Sequence, residues 1–170
     1  MKILGIDPGI DGGLAILEDG NIIKTMAMPN YKDINGDKVV DSYELSNFIT
    51  ANPVDHIIHE NVHALYGSSA KNTFNFGRNV GMTESLILAF GYQLIKVKPK
   101  VWQLIPWRGI PIQYDKKGKK DNKARTLLAL NKFFPNIDVS ILLRTPRCKS
   151  PHDGIVDAIF IAKYGFSICN

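Results

Sequence analysis

The chain has 170 residues, 45% of them hydrophobic and 22% charged, which is enough to bury a substantial core in one domain spanning 1–170. That composition excludes a disordered chain, a collagen and a disulfide scaffold. The net charge of +5 hides an asymmetry: residues 1–60 carry four Lys against ten acids, whereas residues 96–125 carry ten basic residues against two acids.

Residues 2–7 alternate as a short strand that ends on Asp7, followed by the turn residues Pro8-Gly9 and Gly12-Gly13. Gly13 to Glu18 reads as a second strand, Asp19-Gly20 as a two-residue hairpin, and Asn21 to Met28 as a third strand. Asp41-Ser-Tyr-Glu44 has the spacing of a capping box and opens a helix to about Ala51. Val54 to Glu60 predicts a strand ending on a second acid, and residues 61–73 a loop. A long helix is expected from about Asn72 to Phe90, stopped by Gly91. Tyr92 to Val97 predicts a fifth strand and Pro99 opens a short helix through Trp102. Residues 106–120 predict a lysine-rich loop. Asn122 to Phe134 is expected to be helical, as is the stretch from near Pro151 to Tyr164. The order predicts an α/β fold: a mixed sheet with an antiparallel three-strand start, then parallel strands, and helices on both faces.

The opening MKILGIDPG breaks its apolar run at Gly5 and Asp7, unlike a signal peptide. No apolar stretch approaches the length of a membrane span. Cys148 and Cys169 read as thiols of a reducing compartment, with one late disulfide as the alternative. The expectation is a soluble cytosolic protein without a membrane partner.

Four carboxylates stand where chemistry would want them. Asp7 ends the first strand, Glu60 ends the fourth, and Asp153 and Asp157 lie four apart at the start of the last helix, on one face. Like charges at that spacing repel, and a divalent cation between them removes the penalty. Mg²⁺ takes hard oxygen ligands of this kind, and two such ions assist phosphodiester cleavage. Each acid alone also has an ordinary reading: a turn residue, a strand end, or helix acids facing the dipole. The basic segment has two readings as well, a polyanion-binding surface or a solvated loop.

Taken together, Ile3-Leu-Gly-Ile-Asp-Pro-Gly9 with Gly12-Gly13, His59-Glu60-Asn-Val62, Phe74-Asn-Phe-Gly77 with Gly81, Pro99 with Trp102, Lys123-Ala124 and Asp153-Gly-Ile-Val-Asp157-Ala158 resemble the RuvC family of Holliday-junction resolvases. They do so in order along nearly the whole chain, and are most similar to the RuvC-like proteins of phages and viruses. The resemblance implies an RNase H-like fold and a homodimer that makes paired nicks in a four-way DNA junction with Mg²⁺ (Mn²⁺ substituting), in the cytosol of a bacterium or a phage-infected host. It carries Asp7, Glu60 and Asp157 over as catalytic metal ligands for two ions. The fourth position departs from the bacterial spacing, which would land on Gly154. Asp153 suits Mg²⁺ better and keeps the helical face, while His152 is left as an assisting residue. Gln103 also departs, standing where many relatives carry a lysine; Lys100 or Lys123 is then expected to take that lysine's place.

The family's junction-entering loop corresponds to the residues after Glu60, where Tyr66, Lys71, Phe74 and Arg78 are candidate contacts and Tyr66 the candidate stacking aromatic. Phe74 and Phe76 alternatively anchor the following helix, which is the family's dimer element. Lys98, Lys100, Lys116, Lys117, Lys119, Lys120, Lys123 and Arg125 are expected to meet phosphates. The alternatives are another RNase H-like nuclease that acts on RNA or on flaps and forks as a monomer, a sugar-kinase or actin-like nucleotide binder, for which the chain is short, and a non-catalytic junction binder.

Overall fold

The computed structural model describes residues 1–63 and 67–169. The chain opens with β1 (Lys2–Asp7), β2 (Gly13–Glu18) and β3 (Asn21–Ala27), an antiparallel meander. A small hairpin follows, β4 (Asn30–Lys32) with β5 (Lys38–Val40). Then come α1 (Ser42–Ala51), β6 (His56–Glu60), α2 (Ala70–Ala89) and β7 (Ile95–Val97). Two four-residue helices, α3 (Pro99–Trp102) and α4 (Leu104–Trp107), lead to α5 (Asn122–Phe133), a 3₁₀ turn (Val139–Leu142) and α6 (Asp153–Ile168).

The five-stranded sheet has the order β3-β2-β1-β6-β7, with β1, β6 and β7 parallel. Strand alternation divides its side chains between two cores. Ile3, Ala15, Leu17 and Ile58 pack under α6. Leu4, Ile6, Leu14, Ile16 and Ile57 pack with Leu45, Phe48 and Ile49 of α1 and Ile87 of α2. The expected mixed sheet with helices on both faces is therefore the observed fold.

Helix α6 seats itself on the sheet without side chains in between. A Cβ at Gly5 would lie 2.2 Å from the Ala158 carbonyl oxygen, and one at Gly154 would lie 2.4 Å from Gly12 Cα. These contacts bring the N-terminus of α6 against the start of β2, whose Gly13 pairs with Asp7.

Several boundaries differ from the sequence expectation. The β4–β5 hairpin was not expected: strands of three residues are too short to show alternation. Tertiary contacts hold it, with Asn79 Oδ1 accepting the Val40 N–H at 3.1 Å and Lys71 pairing with Asp37 at 2.8 Å. Helix α2 begins at Ala70, two residues early, because the Ser69 hydroxyl caps it by accepting the Asn72 N–H. Strand β7 is three residues rather than six, since only Ile95–Val97 reaches β6. Helix α6 starts at Asp153 with His152 as its N-cap and continues to Ile168. Asp41 caps α1 by accepting the N–H groups of Tyr43 and Glu44, but the box is not closed, because the Asp41 N–H donates to the Pro29 carbonyl at 2.8 Å. Cys148 and Cys169 are free thiols. No helix among the described residues is long and apolar enough to cross a membrane.

Candidate active site

The parallel pairing of β1 with β6 aligns Ile6 with His59, so Asp7 and Glu60 occupy the next rung of neighbouring strands, roughly one strand spacing (about 4.8 Å) apart. Alternation puts both on the α6 face. Asp157 lies one turn into α6, whose first turn is pressed onto the Gly12-Gly13 corner. Three elements distant in sequence thus aim carboxylates at one place.

Glu60 is buried, Asp7 and Asp157 are half-buried, and none of the three forms an ion pair among the described residues. Burial pushes Asp7 up to about 6, against the Gly9 N–H that donates to its Oδ1 at 3.2 Å. Glu60, 8% exposed, is pushed up to about 7 by burial and then by the charge of Asp7, while the Trp102 indole N–H donates to its Oε1 at 2.8 Å. Asp157 is pushed up to about 8, first by burial and then by the charges of Asp7, Glu60 and Asp153, with Lys123 opposing. Poor solvation is the first cause for all three, with the charge of Asp7 adding at Glu60 and Asp157.

Asp153 is differently placed. Its side chain is 53% exposed, and Lys123 Nζ, from the first turn of α5, donates to its Oδ2 at 2.5 Å. That pairing raises the Lys123 pKa. His152 lies beside it. Burial lowers its pKa, with the Arg144 charge adding to the effect, and its Nδ1 is enclosed without a hydrogen-bond partner. Asp7, Lys123, His152, Asp153 and Asp157 line one open cleft of about 450 Å³, together with Asp11 and Arg144. The acids on β1 and α6 and His152 are therefore brought together, and Glu60 adjoins them through Asp7.

The expected nucleic-acid contacts divide. Lys71 is paired with Asp37, and Arg78 with Asp33 at 3.5 Å, so both hold the β4–β5 hairpin onto α2. Arg125 donates to the carbonyls of Trp107 and Ile110 and stacks over the Trp107 ring at 4.9 Å, which ties α5 to α4. Phe74 is 70% exposed, so it does not anchor α2, and Phe76 is partly buried. Lys98, Lys100, Lys116, Lys117, Lys119 and Lys120 are exposed. Tyr66 lies outside the described residues.

Sequence reasoning missed two features. The Trp102 bond to Glu60 spans 42 residues, and nothing in either local pattern signals it. Asp11 sits at the rim of the cleft, joined to Arg144 at 2.9 Å and Lys38 at 3.3 Å; its only signal was being an acid four residues after Asp7.

The fold implies a divalent metal at these donors. Among the described residues no three His, Cys, Asp or Glu side chains are gathered tightly enough to hold an ion as they stand. The chemistry of the groups does fit: Asp7 and Asp157 line the cleft and Glu60 adjoins it, three hard oxygen donors whose pKa values all rise.

An antiparallel meander continued by two parallel strands, with a long final helix packed on its centre, is an α/β RNase H-like fold. In architecture it is similar to RuvC. The structure of Thermus thermophilus RuvC superposes with a TM-score of 0.56 and 15% identity, covering 99% of this chain and 97% of that one. T. thermophilus RuvC in complex with a Holliday junction substrate matches with the same TM-score and identity, over 95% of this chain and 90% of that one. No protein-family model and no curated protein matches the sequence.

Proposed function

We propose that this protein is a divalent-metal-dependent endonuclease that cleaves four-way or otherwise branched DNA by phosphodiester hydrolysis. The observation that carries the reading is the convergence of Asp7, Glu60 and Asp157 from β1, β6 and α6 as poorly solvated carboxylates with raised pKa values. Holding such charges together costs stability unless a ligand neutralises them. The RuvC fold, seen in a neighbour bound to a Holliday junction, supports DNA as the substrate.

In this reading Asp7, Glu60 and Asp157 hold the metal, and Trp102 fixes the orientation of Glu60. Mg²⁺ when bound, as two ions or with Mn²⁺ in its place, activates a water and stabilises charge on the leaving oxygen. Asp153 completes the ligand set once Lys123 exchanges it for a DNA phosphate. His152, kept neutral by burial, stands at the rim for proton transfer. The exposed lysines at 98, 100, 116, 117, 119 and 120 hold the arms by their phosphates. Paired nicks require two such sites, so the chain works as a homodimer with α2 at the interface. The setting is the cytosol of a bacterium or of a phage-infected host.

The test is a nuclease assay with Mg²⁺ on a four-way junction, a fork, a flap, a matched duplex and an RNA–DNA hybrid. Paired, symmetric nicks in the junction and weak cleavage of duplex are expected. Cleavage of the hybrid alone, or of flaps by a monomer, would replace this reading with the RNA-processing or flap-nuclease one. Undiminished cleavage in excess EDTA would remove the metal.

A further inference from the structure

The lysine-rich segment between α4 and α5 is an ordered ribbon. Tyr114 and Lys120 form an antiparallel bridge, the Asp121 N–H donates to the Gln113 carbonyl at 2.8 Å, and the Asp115 N–H donates to the Lys119 carbonyl at 2.8 Å. The tip is closed by Asp115, whose Oδ1 accepts the N–H groups of Lys117 and Lys119, and by Gly118 at φ +74°. Asp121, at the foot, caps α5 by accepting the Ala124 N–H. Two residues on, Lys123 reaches Asp153 in the cleft, so the ribbon is anchored at the rim of the carboxylates.

Two features of this ribbon suit a nucleic-acid contact. No ion pair among the described residues engages Lys116, Lys117, Lys119 or Lys120, whereas Lys71, Arg78, Lys123 and Arg144 all have acidic partners. The ribbon also displays an aromatic ring. Tyr114 is 60% exposed, and Ile112, two residues before it, is 42% exposed. Because directly paired residues share a face, the Tyr114 ring projects beside Lys120. A flat apolar surface next to an uncompensated cation matches the two parts of a nucleotide, base and phosphate. A purely solvated loop needs neither the ring nor the cross-strand bonds.

We infer that Tyr114 is a base-stacking residue: the 113–121 ribbon grips the phosphates of DNA with its lysines and stacks an unpaired base on the Tyr114 ring. This deepens the nuclease reading and rests on its DNA-binding part. It assigns recognition of unpaired bases to a position outside the loop that follows Glu60.

The test is a binding measurement on the full chain in EDTA, where no cleavage occurs. The probes are a single-stranded oligonucleotide and a four-way junction, each with 2-aminopurine at an unpaired or junction position, and a matched duplex. Tyr114→Ala should weaken binding to the first two by roughly 5- to 150-fold, the range expected for one stacked base, and leave duplex affinity unchanged. Wild-type protein should quench the 2-aminopurine, Tyr114→Trp should retain both effects, and Tyr114→Ala should lose the quenching. A variant in which all four lysines become Ala should weaken all three probes alike. If Tyr114→Ala binds every probe like the wild type, or loses affinity for all three equally, the stacking role is overturned while the nuclease reading stands. If Tyr114→Ala instead changes the sedimentation of the DNA-free protein, the ring belongs to a protein contact and the inference falls. Wild-type protein that binds none of the probes overturns both.

Discussion

The two faces of the sheet are made from the same alternating strands, yet they treat buried polar groups in opposite ways, and adjacent residues of β6 show it. His59 points to the α2 face. The Thr83 hydroxyl donates to the Val80 carbonyl at 2.8 Å, so its lone pair receives the His59 Nε2–H at 2.9 Å. Burial drives the His59 pKa down to about 4, and the ring is neutral and bonded. Glu60 points to the α6 face, where its neighbours are Asp7 and Asp157 and its pKa goes up. One face holds its polar group neutral and bonded at Nε2, with Nδ1 buried and unpartnered, inside a packed core. The other keeps uncompensated charge where a cation can bind. Stability and function are thus separated across the thickness of one sheet.

The largest expected effect breaks the α6 face chemically. Asp7→Asn or Asp157→Asn should lower junction cleavage by roughly 10³-fold, as expected when several kcal/mol of transition-state charge stabilisation are lost. The metal-free fold should melt no earlier than the wild type at pH 8, because a repelling charge is gone. The mirror experiment on the other face is Thr83→Val. It strands the buried His59 N–H and should cost about 1–3 kcal/mol, with cleavage by the folded protein retained. Thermal melts and single-turnover cleavage on the same samples read both arms; equal activity losses on the two faces would abolish the distinction.

Next in size is the seating of α6. Gly5→Ala places a methyl group into the Ala158 carbonyl, and should destabilise the fold by about 1–3 kcal/mol or more. That corresponds to a melting point lower by roughly 2–4 °C for each kcal/mol. The displaced helix should take Asp157 with it, so activity should fall further than the loss of folded protein accounts for.

The pH dependence sharpens the comparison. An acid whose pKa rises on folding binds its proton more tightly in the native state, so stability is lost as pH climbs from the unfolded to the folded value. For Asp7, Glu60 and Asp157 that window runs from about 4 to about 8. His59, with its lowered pKa, acts with the opposite sign between about 4 and 6.5. The α6 face therefore dominates above pH 6.5. In EDTA the melting temperature should fall from pH 6.5 to 8, and Asp157→Asn should remove most of that fall. Added Mg²⁺ should raise the melting temperature more at pH 8 than at pH 5. A flat profile from pH 6.5 to 8 would show that burial and neighbouring charge do not raise these carboxylates' pKa values.

The smallest effect concerns the ribbon, whose lysines are exposed. Replacing Lys116, Lys117, Lys119 and Lys120 with Ala should leave the melting temperature unchanged. The slope of log affinity against log salt for duplex DNA should become shallower by about 3–4. An unchanged slope would mean that these lysines meet no phosphates.

What the sequence determined by itself was whatever local pattern encodes. Alternation in residues 2–27, the Asp19-Gly20 turn and the Asp41 cap are short-range signals, and they specified the meander and α1. The positions of Asp7 and Glu60 at strand ends and of Asp153 and Asp157 on one helical face followed from the same periodicities. Tertiary structure decided the rest. The β4–β5 hairpin exists because Asn79, Lys71 and Arg78 hold it against α2. Arg125 looked like a phosphate ligand until its fork was seen to be spent on the Trp107 and Ile110 carbonyls. Asp153 and Asp157 look equivalent in sequence, but Lys123, thirty residues away, takes Asp153 and leaves Asp157 to the carboxylate cluster. Such pairings join residues distant along the chain, and their energies depend on burial and on neighbouring charge. Those quantities come into being only when β1, β6 and α6 are packed together.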